Sequence, residues 1–242
     1  MAFKKLYANG DSWTYGQELG DDQVDELDYK FYNTWPWHLS QRMRIPQVIN
    51  DGLGGGSCNR IFRTTIEYIK SQDTIEDTIF VLGWTSRERF EWPMLDTLTH
   101  HNGTDLEKHE YLKYVSVLFS QEVSPWKTYP GENLLEATIN DKVVRLNGLK
   151  NKWFRLREYQ ADTEKLEQYV YILDELVKAK GGEIYHFWAL EEPLTKYSIL
   201  KDNLMSIVKE NGWDLCPLHH PTEETHKKIA DIIYNGIENR RT

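Results

Sequence analysis

Short apolar, β-branched runs alternate along this chain with segments whose apolar positions recur every three to four residues. Runs at 3–9, 46–50, 78–84 (TIFVLGW) and 183–188 (EIYHFW) predict strands. Between them, 36–44 (PWHLSQRMR) and 59–71 (NRIFRTTIEYIKS) carry helical spacing, with Ile61, Thr64, Ile66 and Ile69 near one face. A long amphipathic helix is predicted over about 159–180, stopped by Gly181 and Gly182. Another lies near 198–210, and the last runs from about 222 to 238 with Thr222 as its N-cap. Strands that alternate with helices imply a mostly parallel sheet covered on both faces.

The segment between about 93 and 155 breaks this rhythm. It contains HHNGTD, SPWKTYPGEN and a hairpin-like stretch from Lys142 to Gly148 (KVVRLNG), without an internal repeat. It reads as an insertion at one end of the sheet, which either shapes a substrate pocket or packs as a peripheral subdomain. His100 and His101 fall within it and read as solvated loop residues.

Composition narrows the function classes. A length of 242 residues fits one α/β domain, and no apolar run approaches the roughly 20 residues a membrane helix needs. MAFKK leads directly into the first strand, so no secretory signal is read and the expected location is the cytoplasm. Acidic residues outnumber basic ones 38 to 29, a net charge of −9 that argues against a nucleic-acid partner. Two cysteines, Cys58 and Cys216, are too few for a disulfide scaffold and lack zinc-site spacing. His219, His220 and His226 do not form the i, i+4 pair of a helical metal site, so neither metal nor cofactor is expected. Nine tryptophans are many for this length, and Trp35, Trp37, Trp84, Trp92 and Trp126 fall in loop-like stretches, where aromatics either line a pocket or pack.

Four separated segments then converge. YANGDSWTYG, residues 7–16, leaves the first strand through Gly10-Asp11-Ser12; NDGLGGGS, 50–57, follows the second; Gly83-Trp84-Thr85-Ser86 ends the third; His219-His220-Pro221-Thr222 precedes the last helix. All four fall at the carboxyl edge of a parallel sheet, where ligands bind in open α/β folds. Ser12 is either an N-cap or a nucleophile. In the second use an imidazole takes the serine proton, and backbone N–H groups of Ser12 and of a glycine in the second loop hold the oxyanion of an acyl-transfer intermediate. The G-x-S-x-G elbow is absent, because Thr14 occupies the second glycine position. The glycine-rich loop lacks the ending of a phosphate-binding loop.

GDSWTYG, NDGLGGGS, GWTS and HHPTEETHKKIA, in that order, resemble the blocks of the SGNH (GDSL) hydrolases, over residues 5–92 and 183–236. The running text GGGSCNRIFRTT and VLGWTSRERFEW is similar to phage-encoded members, which makes a virion-associated location the alternative. The resemblance implies a flavodoxin-like three-layer α/β/α sandwich around a parallel sheet, spanning 1–242 as a single domain with the insertion at about 93–155. It implies Ser12 as nucleophile, His220 as base and Gly55 as an oxyanion donor. The family's third oxyanion donor is an Asn, and that position is Thr85, with Ser86 beside it. The family's acid lies three residues before the base, and that position is Pro217. Asp214 is the nearest carboxylate, and a backbone carbonyl is the other group able to orient His220. Asp11 is expected to accept hydrogen bonds in its loop, and Arg60 and Arg87 either bind an anion or form salt bridges. The expected activity is hydrolysis of a small acyl ester, such as an O-acetyl group on carbohydrate. The alternative is an interaction or virion-structural protein that keeps the fold without turnover. Oligomeric state is not legible in the sequence.

Overall fold

The computed structural model describes residues 3–20, 27–87, 89–102, 105–118, 136–139, 142–145, 159–194 and 196–242, with side chains described for 3–20, 29–87, 89, 163–194 and 196–242. Its centre is a four-stranded sheet of β1 (Lys5–Asn9), β2 (Gln47–Asn50), β3 (Thr78–Trp84) and β8 (Glu183–Trp188). The order is β2-β1-β3-β8, and each neighbouring pair is parallel. Helices α1 (Ser12–Tyr15), α2 (Leu27–Tyr32), α3 (Trp35–Met43), α4 (Cys58–Ser71), α5 (Tyr159–Ala179), α6 (Leu204–Glu210) and α7 (Glu223–Arg241) complete the α/β architecture. All four strands stand within two residues of where hydrophobic patterning predicts them.

Side-chain alternation along the strands builds two cores. Leu6, Ala8, Ile79, Val81 and Phe187 face one side, against Trp35 and Leu39 of α3, Leu204 and Val208 of α6, and Ile229, Ile233 and Ile237 of α7. Tyr7, Phe80, Leu82, Trp84 and Trp188 face the other, against Ile61 and Ile69 of α4 and Leu166, Val170, Leu173 and Val177 of α5. Each fully buried side chain of this size contributes about 1.5–3 kcal/mol, so the period-two pattern fixes strand register as well as strand existence. Trp35 and Trp84, expected in loops, are wholly buried at the start of α3 and the end of β3.

Three local expectations are revised. The helix near 198–210 starts only at Leu204, because the Asn203 side chain accepts the Ser206 N–H and fixes the cap there. The start of the segment expected to be irregular is regular: β4 (Arg89–Asn102) and β5 (Asp105–Leu118) form a long antiparallel pair, with His100 and His101 on a strand. The hairpin expected at 142–148 is the pairing of β6 (Glu136–Ile139) with β7 (Lys142–Arg145), so KVVR is its second strand. SPWKTYPGEN and Trp126 lie outside the described residues.

Helix α7 begins as expected, with the Thr222 hydroxyl accepting the Thr225 N–H. His226 performs a second capping that the sequence conceals. Thr34 precedes α3 without a side-chain cap bond, and the orphan Trp35 N–H donates instead to His226 Nδ1 across the interface. Accepting at Nδ1 requires the neutral ring with its proton on Nε2. Burial, helped by His38 and His220, lowers the His226 pKa to about 3. The unfolded chain protonates this ring near 6.5, so it binds the proton that the folded state refuses. Stability is therefore complete above about pH 6.5 and falls as pH drops toward about 3, with a slope approaching about 1.4 kcal/mol per pH unit from this group. Urea titrations from pH 7 to 4 should show that slope, and His226→Gln should flatten it by about one proton. Equal slopes in the two proteins would show that His226 is not the group responsible.

Candidate active site

The strand order reverses between β1 and β3, which puts the crevice of this sheet at their carboxyl ends. The turn after β1 starts α1 with Asp11 as N-cap: its Oδ1 accepts the Trp13 N–H at 3.0 Å, and Ser12 is the first helical residue. Gly16 closes α1 in the left-handed region, with φ of 81°. Ser12 therefore sits on one short turn, itself buried beside the buried ring of Trp13. Its neighbours leave no space for variation. A Cβ on Gly10 would lie 2.1 Å from Thr14 Oγ1 and 2.9 Å from the Gly83 carbonyl. Thr14 thus fits against the glycines of the first and third strand ends, and it draws the Ser12 turn onto the sheet.

The loop after β2 is bound to the same turn through its backbone. Leu53 N–H donates to the Gly10 carbonyl at 3.2 Å, and Asn50 Nδ2 donates to the Thr14 carbonyl at 2.8 Å. Gly55 has φ of 70° and open space where a side chain would project. Among the described residues neither the Gly55 N–H nor the Ser12 N–H is used in a hydrogen bond. Next to them the loop turns into α4, whose N-cap is Ser57.

The third loop is fastened differently from what the sequence suggests. Thr85 Oγ1 donates to Asp11 Oδ2 at 2.7 Å, and Arg89 Nη1 donates to the same oxygen at 3.2 Å. Ser86 Oγ donates to Glu191. Both hydroxyls at the position of a third oxyanion donor are thus turned toward carboxylates. Asp11, fully buried, is the loop acceptor expected of it.

The loop that carries His220 is a tight turn. Leu215 bridges to Pro221, the Cys216 N–H reaches the His220 carbonyl at 2.7 Å, and His219 takes a φ of 66°. His220 Nδ1 lies 2.7 Å from Glu18 Oε2, and the Leu218 N–H reaches both Glu18 oxygens at 3.1 Å. A carboxylate only accepts, so Nδ1 carries a proton, and in the neutral ring the lone pair is the one on Nε2. No described residue bonds Nε2. Asp214 stands elsewhere: it is exposed, and it contributes its backbone carbonyl to the Thr222 and Thr225 hydroxyls. The carboxylate on His220 is therefore Glu18. It follows Ser12 by one helical turn and a left-handed residue, Glu18 itself with φ of 68°. Block order looks for a carboxylate just before His220, so one from the loop that carries Ser12 is invisible to it.

The remaining candidates form ion pairs. Arg60 reaches Asp51 Oδ1 at 3.1 Å and Asn9 Oδ1 at 3.2 Å, and Arg87 reaches Glu191 Oε2 at 2.6 Å. Cys58 is buried under the Thr85 carbonyl, and burial pushes its thiol up to about 12. Among the described residues no group of three or more His, Cys, Asp or Glu side chains is placed to hold a metal, and no helix is long and apolar enough to cross a membrane.

A model described as a family of unknown function (DUF6071) matches residues 17–108, a span that includes Glu18, Gly55, Thr85 and Arg89 but neither Ser12 nor His220. No curated protein gives a significant match. Among solved structures, the chain is similar to a protein assigned to the lipolytic G-D-S-L family from Desulfitobacterium hafniense, with 15% identity, a TM-score of 0.39, and 96% of this chain and 99% of the other covered. It is also similar to a member of that family from Veillonella parvula, with 11% identity, a TM-score of 0.42 and 96% of each chain covered. Both likenesses are distant, and the chemistry below rests on this chain's own side chains.

The two glycines of the site differ in what a methyl group would meet. Gly10→Ala should cost about 1–3 kcal/mol through overpacking against Thr14 and the Gly83 carbonyl. Gly55→Ala should cost about 1–2 kcal/mol, from its left-handed backbone alone. Denaturant unfolding, with near-UV circular dichroism of the Trp13 environment, should show a tertiary change only in Gly10→Ala. A silent Gly10→Ala would show that the Ser12 turn is not held by this packing.

Proposed function

We propose that the chain is a serine hydrolase of carboxylic esters, with Ser12 as nucleophile, His220 as base and Glu18 as the carboxylate that orients it. The observation that carries this reading is the 2.7 Å contact between His220 Nδ1 and Glu18 Oε2. It fixes the tautomer a general base requires and leaves Nε2 as the proton acceptor. Ser12 is attached to the same loop as Glu18, and two unused N–H groups, those of Ser12 and Gly55, lie at the same sheet edge.

In the proposed sequence, His220 Nε2 takes the Ser12 hydroxyl proton as Oγ attacks the ester carbonyl. The Ser12 and Gly55 N–H groups receive the oxyanion. The imidazolium returns its proton to the departing alkoxide, which leaves as alcohol. Water then repeats the cycle on the acyl-serine, releasing the acid and regenerating Ser12. Each oxyanion donor contributes about 3 kcal/mol to such a barrier. Thr85 serves by holding Asp11, which caps the turn that presents Ser12. Left-handed backbone at Glu18 and His219, both beside the imidazole, fits this assignment, since strained non-glycine residues gather where geometry is imposed by function. The proposed substrates are small acyl esters, including O-acetyl groups on carbohydrate.

A fluorophosphonate tests the assembly without knowledge of the natural substrate, because it requires only nucleophile, base and oxyanion donors. Labelling should map to Ser12, vanish in Ser12→Ala and fall steeply in His220→Ala. Glu18→Gln should slow both labelling and hydrolysis of an activated acetyl ester by about 10²–10⁴-fold, whereas Asp214→Asn should leave them near wild type. Steep loss in Asp214→Asn with a normal Glu18→Gln would reverse the assignment of the acid. A folded wild-type protein that stays unlabelled at high reagent concentration would favour a non-catalytic binding role for the same fold.

A further inference from the structure

Arg89 is the first residue of β4, and its side chain is 12% exposed. A guanidinium has five N–H donors arranged in a plane. Only Nη1 is used among the described residues, end-on to Asp11 Oδ2 at 3.2 Å. Nε is buried and has no hydrogen-bond partner. Nε and Nη2 point to the same side of the plane, away from Nη1, and together form the edge that matches the two oxygens of a carboxylate. A buried cationic N–H without an acceptor is costly, and the fold contains many acceptors that fill comparable positions elsewhere, as Asp51 does for Arg60 and Glu191 for Arg87.

The location of this unpaired edge is also informative. Asp11, the residue that anchors Arg89, directly precedes Ser12. Burial raises the Cys58 thiol pKa, while Asp11 adds to the rise and Arg89 opposes it, so the guanidinium lies in the electrostatic range of the residue where the Gly55 loop enters α4. Asp11 occupies only the Nη1 corner of Arg89, and it also receives the Trp13 N–H and the Thr85 hydroxyl. Arg89 thus presents an unfilled bidentate edge where the loops of Ser12, Gly55 and Thr85 meet.

We infer that the Nε–Nη2 edge of Arg89 binds a carboxylate carried by the substrate, so that the esters this site prefers are acidic ones with the carboxylate a few bonds from the scissile carbonyl. The inference rests on the esterase reading for the word ester, while the anion site itself stands on Arg89 alone. No proton or bond changes at Arg89; it orients the substrate and sets specificity.

Monomethyl succinate and methyl butyrate are close in shape and differ in the terminal carboxylate. At constant ionic strength and pH 7.5, wild-type kcat/KM should favour monomethyl succinate by about tenfold or more, the expected value of a bidentate charge-assisted pair. In the Ser12→Ala protein, binding followed by NMR titration should show the same preference. Arg89→Lys, which keeps a charge for Asp11 but loses the planar edge, should remove most of it. Hydrolysis of both esters at equal kcat/KM would overturn the acidic-substrate inference and leave the esterase reading intact. Arg89-dependent binding of monomethyl succinate without hydrolysis of either ester would uphold the anion site and remove the esterase reading. A preference that survives in a folded Arg89→Lys protein would also overturn the assignment to Arg89. The two wild-type measurements do not depend on how well that variant folds.

Discussion

Everything at the carboxyl edge of the sheet depends on how a buried carboxylate is satisfied. Asp11 has no solvent exposure, so its charge must be met entirely by protein donors. The three described donors come from separate places: the Trp13 N–H from the first turn of α1, the Thr85 hydroxyl from the end of β3, and the Arg89 guanidinium from the root of β4. None of these loops can shift without leaving a charge unpaired in the interior. The cost of such a vacancy, several kcal/mol, exceeds what loop flexibility recovers, and the position of Ser12 is rigid for that reason. Asn9 acts in parallel one layer down, with Nδ2 on the Thr64 and Thr65 hydroxyls of α4 and Oδ1 on the Gly10 N–H.

Glu18 works by a related principle at lower burial. A single carboxylate receives both the Leu218 N–H and the His220 ring, so docking the loop and selecting the tautomer are one event. The left-handed conformations of Glu18 and His219 are held in place by that docking. A lone surface ion pair would contribute little; here the pairing is enclosed and reinforced by backbone hydrogen bonds within the His220 loop.

The sheet was legible because its inner strands, β1 and β3, are buried on both faces and read as short apolar runs. The segments that bring Ser12, Gly55 and Thr85 to one edge were legible as glycine-rich exits from those strands. The partner of His220 was not, because Glu18 comes near it through chain folding over a separation of 202 positions. Thr85 shows a subtler failure: its place in the sequence suggested a donor toward substrate, but a hydroxyl turns toward the strongest nearby acceptor, and Asp11 is that acceptor. The β4–β5 pair lies in a stretch that carries turn residues as well as apolar ones, and its pairing of Asn102 with Asp105 is set by the antiparallel register.

The separation between Glu18 and His220 also orders events in the life of the chain. During synthesis the turn of Ser12, the glycine-rich loop and the end of β3 are all made long before the final helix exists. Contacts of such span close late, because the intervening chain must first be organised to offset its entropy. His226 on the same last helix caps α3, 191 positions earlier, so the arrival of that helix completes an early element and the imidazole site together. A chain that lacked this helix and the loop before it would therefore hold Ser12 and Glu18 without the imidazole of His220 between loop and helix, so on the proposed reading the site is assembled only when the two distant segments dock.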